Sequence, residues 1–238
     1  MKSFGLFLES DQYIKEPGTQ FGSNEGGLYS GPDGNKHYVK FYKNPDQAKV
    51  EALTGKLYNH MGINTVNPEM KNINGRDAIV TPWNDKLGQM KPHEFDQLNP
   101  EQASQLAKMY HAAVLSKNWD ILGLEHDNVI KNKETGDLHA IDHGGAFHFR
   151  ARGAPKPYGS DIDDHKSLMN NDQASGQVFR SLHKQYPEAI QNAAHEILPK
   201  LDDDHVEHLF RNSGLTNWQD LYNNFNERKN KLKGLYKT

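Results

Sequence analysis

The chain has 238 residues, which is enough for one large domain or two small lobes. Its formal net charge of −3 gives no overall attraction to nucleic acid, and its lack of cysteine excludes disulfide bonds and thiolate zinc sites. No run approaches the roughly 18 apolar residues of a membrane-spanning helix, and charge interrupts residues 1–16 too soon for a Sec signal peptide. We therefore expect a cytoplasmic protein, or one exported into a host cell without a Sec signal.

The amino-terminal part of the chain predicts a lead-in followed by a β-hairpin. Residues 1–17 have the character of a loosely structured lead-in. Residues 28–29 and the aromatic, β-branched run 37–42 are typical of strands, and Pro-Asp-Gly-Asn at 32–35 is typical of the turn between them. A glycine-rich segment at 22–27 directly precedes the first of these strands.

A helix and further strands are predicted next. Apolar residues recur at helical spacing over 45–60, which predicts a helix. One or two strands are expected over 66–80. Pro82 follows within Thr-Pro-Trp and disfavours continued strand pairing, so we interpret 81–83 as a connector between lobes.

The second part of the chain is predicted to be mostly helical. A helix should begin near Pro100 with Asn99 as its N-cap. Two short strands are predicted within 118–145, because the segment at 133–137 between them is a turn signal. Four or five helices are expected over 161–235.

These elements predict an α+β protein with two lobes. A small β-rich lobe would occupy residues 18–83, and a mostly helical lobe would occupy 84–238. A cleft between the lobes is then the expected place for a ligand.

The glycine-rich segment is the first candidate site. Backbone N–H groups that no Cβ obstructs can close over phosphates. An ordinary hairpin turn would contain the same residues, and the position before a Tyr-Val-Lys strand is what favours phosphate binding. The candidate binding residues in this segment are Gly22, Ser23, Asn24, Gly26 and Gly27.

Lys40 and Glu51 form the second candidate. Lys40 alternates with apolar neighbours along its strand, so its side chain points to the opposite face and could reach phosphates. Glu51 lies in the following helix and could pair with Lys40. Each residue taken singly is also typical of a solvent-exposed position. The order of glycine loop, lysine and glutamate matches a kinase-like amino-terminal lobe.

Asp120, Asn128 and Asp142 form the third candidate. The two predicted strands would bring Asn128 and Asp142 near one another. Carboxylate and amide oxygens can bind Mg²⁺ while leaving coordination positions open for phosphates. We interpret Asn128 and Asp142 as metal ligands, and Asp120 as the residue that orients and deprotonates an attacking hydroxyl. The alternative is that all three residues only cap loops and turns.

Two other charged stretches are interpreted as structural. His205 and His208 lack a cluster of partners, so we place them on the polar face of a helix that Asp202 or Asp203 caps. The basic run over 228–233 is interpreted as a solvated helix end that frays.

With these residues assembled, the chain resembles the protein-kinase-like superfamily in its compact atypical branches. It is similar to HipA-type kinases, type II phosphatidylinositol 4-kinases and short bacterial or phage effector kinases. GSNEGGLY followed by YVKFYKN resembles their glycine loop and phosphate lysine, and AKVEALTGKLY resembles the helix with the pairing glutamate. NWDILGLEHDNVI followed by AIDHGG resembles the catalytic loop and the metal-binding turn.

The resemblance covers roughly residues 18–150 and implies ATP and Mg²⁺ as cofactors. IVTPW resembles the hinge between lobes, which implies contact of Val80, Pro82 and Trp83 with adenine.

The catalytic loop departs from the family pattern. Asp120 lies further before Asn128 than usual, and Gly123 occupies the expected place of the aspartate. Either the loop is longer and Asp120 is the base, or Asp127 takes part; we favour Asp120. Asp142 and the glycine after His143 are retained, whereas no Ala-Pro-Glu segment follows, so control by activation-loop phosphorylation is not expected.

The sequence therefore predicts an ATP- and Mg²⁺-dependent kinase. A protein serine or threonine is the first choice of acceptor, and an effector, toxin or phage setting is implied only by the resemblance. Transfer of AMP, or phosphorylation of a lipid or small molecule, could use the same fold. The non-enzyme alternative is a nucleotide-binding pseudokinase that acts through a partner, which the intact Lys40, Asn128 and Asp142 argue against.

Overall fold

The computed structural model describes residues 13–20, 24–170 and 174–237. Its amino-terminal part is a five-stranded antiparallel sheet with the order β1-β2-β3-β5-β4. The strands are β1 (Ile14–Lys15), β2 (Glu25–Ser30), β3 (Lys36–Phe41), β4 (Glu69–Ile73) and β5 (Arg76–Pro82). Within the predicted lead-in, residues 1–12 lie outside the described part, and β1 pairs with β2 at the sheet edge.

The predicted hairpin of β2 and β3 is confirmed, and its turn is built as the sequence indicates. Gly34 adopts a φ of 76°, which a glycine reaches without strain. The Asp33 carboxylate accepts a hydrogen bond from the backbone N–H of Asn35 at 3.0 Å and contacts His37 at 3.0 Å. These contacts fix the turn and therefore the pairing register of the two strands.

Helix α1 (Pro45–His60) packs between the sheet and the rest of the molecule. The Asn44 side chain caps its first turn by accepting from the N–H of Asp46, and Pro45 occupies the first helical position. Ala48 and Ala52 pack against the sheet, whereas Leu53 and Leu57 on another face join the main core. The predicted helix is therefore confirmed, and one of its faces holds side chains against the sheet.

A three-stranded sheet and a long helix begin the second part. The strands β6 (Leu87–Gln89), β7 (Val129–Asn132) and β8 (Leu138–Ala140) pair in that order. Helix α2 (Pro100–Ser116) has the predicted Asn99 cap, which forms a reciprocal capping box with Gln102. The helix ends at Lys117, which has a left-handed backbone conformation.

Five further helices follow in the described residues, as predicted, and pack around the large apolar core that contains α2. Asp202 provides the expected cap of α6 by accepting from the N–H of His205. The helices are α3 (Asp164–Asn170), α4 (Ala174–Gln185), α5 (Pro187–Ile197), α6 (Asp203–Arg211) and α7 (Trp218–Tyr236). Short 3-10 helices lie at Pro92–Asp96, His143–Gly145 and Leu198–Lys200.

The interpretation of the basic run in α7 as a solvated, frayed end is wrong for Arg228 and Lys229, whereas Lys231 is exposed. Arg228 is 0% exposed and Lys229 is 2% exposed. The Arg228 guanidinium donates to the Asp164 carboxylate, and the Lys229 ammonium contacts Asp203. These cations are therefore buried and pair with residues that are distant in the sequence. Composition alone does not reveal such pairs.

The predicted α+β architecture is confirmed, with a small antiparallel sheet and a helical part. One local expectation is wrong: β5 continues through Pro82, which pairs with His37 at the strand end. Proline is tolerated there because it is the last residue of the strand, and the N–H of Trp83 donates to Lys36 instead. Among the helices that the structure describes, none is both long and apolar enough to cross a bilayer.

Candidate active site

A cleft of about 510 Å³ lies between the two sheets. One wall comes from β3 and β5, through Tyr38, Lys40, Ile79 and Thr81. The opposite side includes Leu87, Ile130 and Ile141, followed by the polar residues Asn128 and Asp142. Apolar walls with a few converging polar groups are typical of a small-molecule site.

Lys40 lies at the centre of the charged end of this cleft. Its ammonium is 2.9 Å from the Glu51 carboxylate and 3.0 Å from the Asp142 carboxylate. The Lys40 side chain is 10% exposed, and that of Asp142 is 44% exposed. The structure thus brings together the three residues that the sequence singled out from β3, α1 and the loop after β8.

The two carboxylates keep Lys40 charged despite its burial. Burial by itself would lower the pKa of Lys40, but Asp142 and Glu51 outweigh it and place that pKa well above its ordinary value. Burial likewise acts to raise the pKa of Asp142, and Lys40 reverses this so that the net pKa is lowered. The Asp142 carboxylate therefore stays ionised and able to bind a cation.

Tyr42 joins this network, although sequence reasoning did not select it. Its hydroxyl donates to the Glu51 carboxylate and lies 3.5 Å from an Asp142 oxygen. Burial raises the pKa of Tyr42 well above its ordinary value, so the hydroxyl remains a donor. A side chain at Gly144 would overlap Tyr42, which explains the glycine at that position. The sequence offers one indication of this position. Tyr42 lies two residues after Lys40, just beyond the end of β3, and strand alternation places both side chains on the same face.

The loop that carries Asp142 is strained and tightly packed. Asp142 has a φ of 54° and a ψ of 64°, a left-handed conformation that costs a non-glycine residue about 1 kcal/mol or more. Helix α1 contacts this loop through Gln47, whose amide donates to the Gly144 carbonyl at 3.1 Å. His143 packs against Tyr58, and burial lowers the pKa of His143 to about 4, so it is neutral.

Asp120 and Asn128 contact each other next to the cleft, which Asn128 lines and Asp120 does not. The Asn128 amide donates to the Asp120 backbone oxygen at 2.7 Å and to its carboxylate at 3.2 Å. Burial, and next the charge of Asp142, raise the pKa of Asp120 to about 6, against the opposing hydrogen bond from Asn128. Asp127 and Asn128 line the cleft itself, and Asp127 is exposed.

The amide and carboxylate oxygens that remain suit a magnesium ion bound together with phosphates. Asn128 uses its N–H₂ group toward Asp120, which leaves its side-chain oxygen as an acceptor. Asp142 uses one carboxylate oxygen toward Lys40. The described residues contain no group of three or more His, Cys, Asp or Glu side chains arranged around one point. Any metal here would therefore depend on phosphate or water oxygens as well.

The glycine-rich segment differs from its prediction. Gly22 and Ser23 lie outside the described residues, and Asn24 lines the cleft. Gly26 and Gly27, predicted as loop residues, instead belong to β2 and pair with β3. A side chain at Gly26 would overlap a backbone carbonyl oxygen of β3, so the glycine permits close strand approach rather than a flexible loop.

The predicted hinge is only partly at the cleft. Pro82 and Trp83 line it, whereas the side chain of Val80 packs in the apolar cluster on the other face of the sheet. Strand alternation explains this correction, because Ile79 and Thr81 are the residues of β5 that face the cleft. Applied to 79–81, the same alternation could have identified both residues from the sequence.

Comparison with known proteins supports the fold. No protein-family model matches the chain, and no curated protein matches it by sequence. Among solved structures, the chain is similar to the Helicobacter pylori proinflammatory kinase CtkA, with a TM-score of 0.66 over 94% of this chain and 95% of CtkA. The chain has a protein-kinase-like fold. The sequence identity of 12% limits this likeness to the fold.

Two further likenesses are weaker. HipA of the Shewanella oneidensis toxin–antitoxin system gives a TM-score of 0.44 at 12% identity, over 85% of this chain and 60% of HipA. A fragment of LepB from Legionella pneumophila gives 0.41 at 13% identity, over 88% of this chain and 46% of the fragment. These scores are too low to support an inference beyond that drawn from CtkA.

Proposed function

We propose that the chain is an ATP- and Mg²⁺-dependent phosphotransferase. The observation that carries the proposal is the contact of Lys40 with both Glu51 and Asp142 inside a cleft of nucleotide size. Residues from two lobes converge there, and the charge of Lys40 is available to negatively charged phosphates. The protein-kinase-like fold supports this reading without specifying the substrate.

The residues that line the cleft would contact different parts of the nucleotide. Ile79 and Thr81, with Pro82 and Trp83, would bind the adenine ring between apolar surfaces. Lys40 would bind the phosphates, and Glu51 would keep Lys40 in position. Asn24, at the start of β2, also lines the cleft and is available to the phosphates.

Asn128 and Asp142 would hold Mg²⁺, which when bound supplies positive charge for phosphate oxygens. The chain's own contribution is to fix these two side chains. The N–H of Ile141 donates to the Asn128 backbone oxygen at 2.9 Å, so the residue before Asp142 is bonded directly to Asn128. The rigid connection limits the relative movement of the two ligands.

Asp120 is the proposed base. A carboxylate with a pKa near 6 is largely ionised at neutral pH yet basic enough to accept a proton from a hydroxyl. Its hydrogen bond from Asn128 orients it next to the proposed metal site. Asp127 is the alternative. It is exposed, and the Asn128 amide donates to Asp120 instead, so Asp127 is the weaker candidate.

The proposed acceptor is a serine or threonine of a protein. A lipid surface is the weaker candidate, because the cations Arg228 and Lys229 of the carboxy-terminal helix are buried and bonded. A role as a bacterial effector rests only on the likeness to CtkA, which is a proinflammatory kinase. AMP transfer and action as a non-catalytic binding module remain the competing proposals.

Labelled ATP separates these proposals. The full chain is incubated with Mg²⁺, cell lysate and ATP labelled at either the α or the γ phosphate, and modified residues are identified by mass spectrometry. Label from the γ position on serine or threonine, absent with Asp142→Asn, supports the proposed kinase. Label from the α position would establish AMP transfer instead. No transfer of either label, with nucleotide still bound, would favour the binding module.

A further inference from the structure

Three cations surround the ring of Trp119. The Lys156 ammonium lies 4.9 Å from the ring centroid, the Arg150 guanidinium 5.2 Å and the Lys117 ammonium 5.5 Å. Sequence reasoning assigned none of these residues a role. They come from the end of α2 and from the segment after the Asp142 loop, so the fold alone brings them together.

No carboxylate in the described residues lies within ion-pair distance of these three cations. The nearby Asp164 is already used, because its oxygens accept from the Trp119 indole N–H and from Arg228. Lys156 is buried and donates only to the backbone oxygens of Lys117 and Gly145, both at 2.6 Å. Among the described residues, the guanidinium of the exposed Arg150 therefore has no carboxylate paired directly with it and is available to an anion.

The pKa of Lys156 reflects its burial and the charges around it. Burial chiefly, and then the charges of Lys117 and Arg150, lower this pKa to about 7 against the opposing effects of Asp164 and Asp120. An anion at the cluster would raise this pKa again and so be bound more tightly by the charged lysine.

The cluster lies beside the proposed base and outside the nucleotide cleft. Trp119 directly precedes Asp120, and Lys156 donates to Gly145, within the turn that follows Asp142. The three cations do not line the cavity that contains Lys40. A ligand of the cluster would therefore bind outside the nucleotide cleft, next to the residue that precedes Asp120.

We infer that Lys117, Arg150 and Lys156 form an anion subsite for the acceptor. It would take the carboxylate of an aspartate or glutamate, or a phosphate group, that lies close in sequence to the hydroxyl being phosphorylated. Arg150 is the exposed member and would contact the anion, with the two buried lysines adding positive potential. This inference rests on the proposed kinase function and specifies its substrate class as acidic peptides.

Peptide arrays provide the first test. Serine and threonine peptides with one flanking position fixed as Asp, phosphoserine, Ala or Lys are incubated with the full chain and Mg²⁺-ATP. We expect the acidic peptides to be preferred over the alanine peptides by about tenfold, in line with one charge-assisted contact. Arg150→Ala should abolish the preference and Arg150→Lys should restore part of it. Arg152→Ala is the matched control, because Arg152 is exposed in the same turn and has no contact with the Trp119 ring.

A binding measurement without ATP separates failure of this inference from failure of the proposed function. Fluorescence polarisation with labelled acidic and alanine peptides should show about tenfold tighter binding of the acidic peptide by the wild type and Arg152→Ala, and none of this difference in Arg150→Ala. Selective binding without transfer to any peptide would support the subsite while contradicting the kinase. Transfer without acidic preference, or a preference retained in Arg150→Ala, would overturn the subsite.

Discussion

Replacing Arg228 tests whether the buried ion pair between α7 and Asp164 stabilises the protein close to the proposed site. The guanidinium donates to the Asp164 carboxylate at 2.5 Å and to the backbone oxygens of Val114 and Gly159, each at 3.0 Å. Asp164 in turn accepts from Trp119, the neighbour of Asp120. Arg228 is therefore two contacts away from the residue that precedes the proposed base.

The expected cost of Arg228→Met is about 4 kcal/mol of unfolding free energy. Removing one partner of a buried ion pair leaves the Asp164 charge uncompensated, which costs about 3–5 kcal/mol. The carbonyl groups that lose a donor add about 1 kcal/mol each at most, and these effects overlap. For a chain of this length the sum corresponds to a fall in Tm of roughly 10 °C.

Urea unfolding followed by circular dichroism measures this cost. The matched control is Lys231→Met in the same helix, whose exposed ammonium donates to the Ser160 backbone oxygen and which should cost less than about 1 kcal/mol. Adding Asp164→Leu to Arg228→Met should recover part of the loss, since both charges are then gone. An unfolding free energy of Arg228→Met within about 1 kcal/mol of the wild type would show that the buried pair with Asp164 does not stabilise the fold.

Three further changes test separate parts of the structure. Tyr42→Phe removes the donor to Glu51 and should lower kcat/KM for ATP about tenfold, at a cost of no more than about 2 kcal/mol of unfolding free energy. Unchanged turnover would exclude a positioning role for the Tyr42 hydroxyl. Burial lowers the pKa of His111 to about 4, so the unfolded state binds its proton first and stability should fall as pH drops from 7 to 4.5. That loss should be about 2 kcal/mol smaller in His111→Gln, measured by urea unfolding at both pH values, and an equal loss would contradict the assignment. Gly26→Ala should destabilise the sheet, because its Cβ would overlap β3, whereas Gly234→Ala in α7 has open space around it and should raise the unfolding free energy by up to about 1 kcal/mol. Equal Tm values for the two variants would contradict the close approach of β2 to β3.

The order of the polar residues, taken together with the family resemblance, predicts the residues at the charged end of the cleft. Lys40 in a strand, Glu51 in the next helix and Asp142 after a second hairpin are local assignments, and each follows from periodicity or turn chemistry. Predicting that these residues converge requires the family resemblance, because sequence spacing alone does not indicate which parts of the chain face each other. Their roles in catalysis remain predictions.

The errors share a different cause, which is contact between residues far apart in the chain. Arg228 and Asp164 are 64 positions apart, so the basic run of α7 carries no local sign of its burial. The sequence alone predicts a loop at Gly26, because glycine suits both a phosphate loop and a tight strand pair. Only the pairing with β3 distinguishes the two. The cations around Trp119 were not recognised for the same reason, since the fold alone brings Lys117 near Arg150 and Lys156.

The most direct test of the central claim is turnover of Mg²⁺-ATP by matched lysine variants of β3. Lys40→Met removes the cation that contacts Glu51 and Asp142, while Lys36→Met removes an exposed lysine of the same strand that pairs with Glu16. We expect a loss of at least about 100-fold in phosphoryl transfer for Lys40→Met and near wild-type transfer for Lys36→Met, with both variants folded. Equal transfer by the two variants would show that Lys40 does not act on the triphosphate and would contradict the proposed role of Lys40 in phosphoryl transfer.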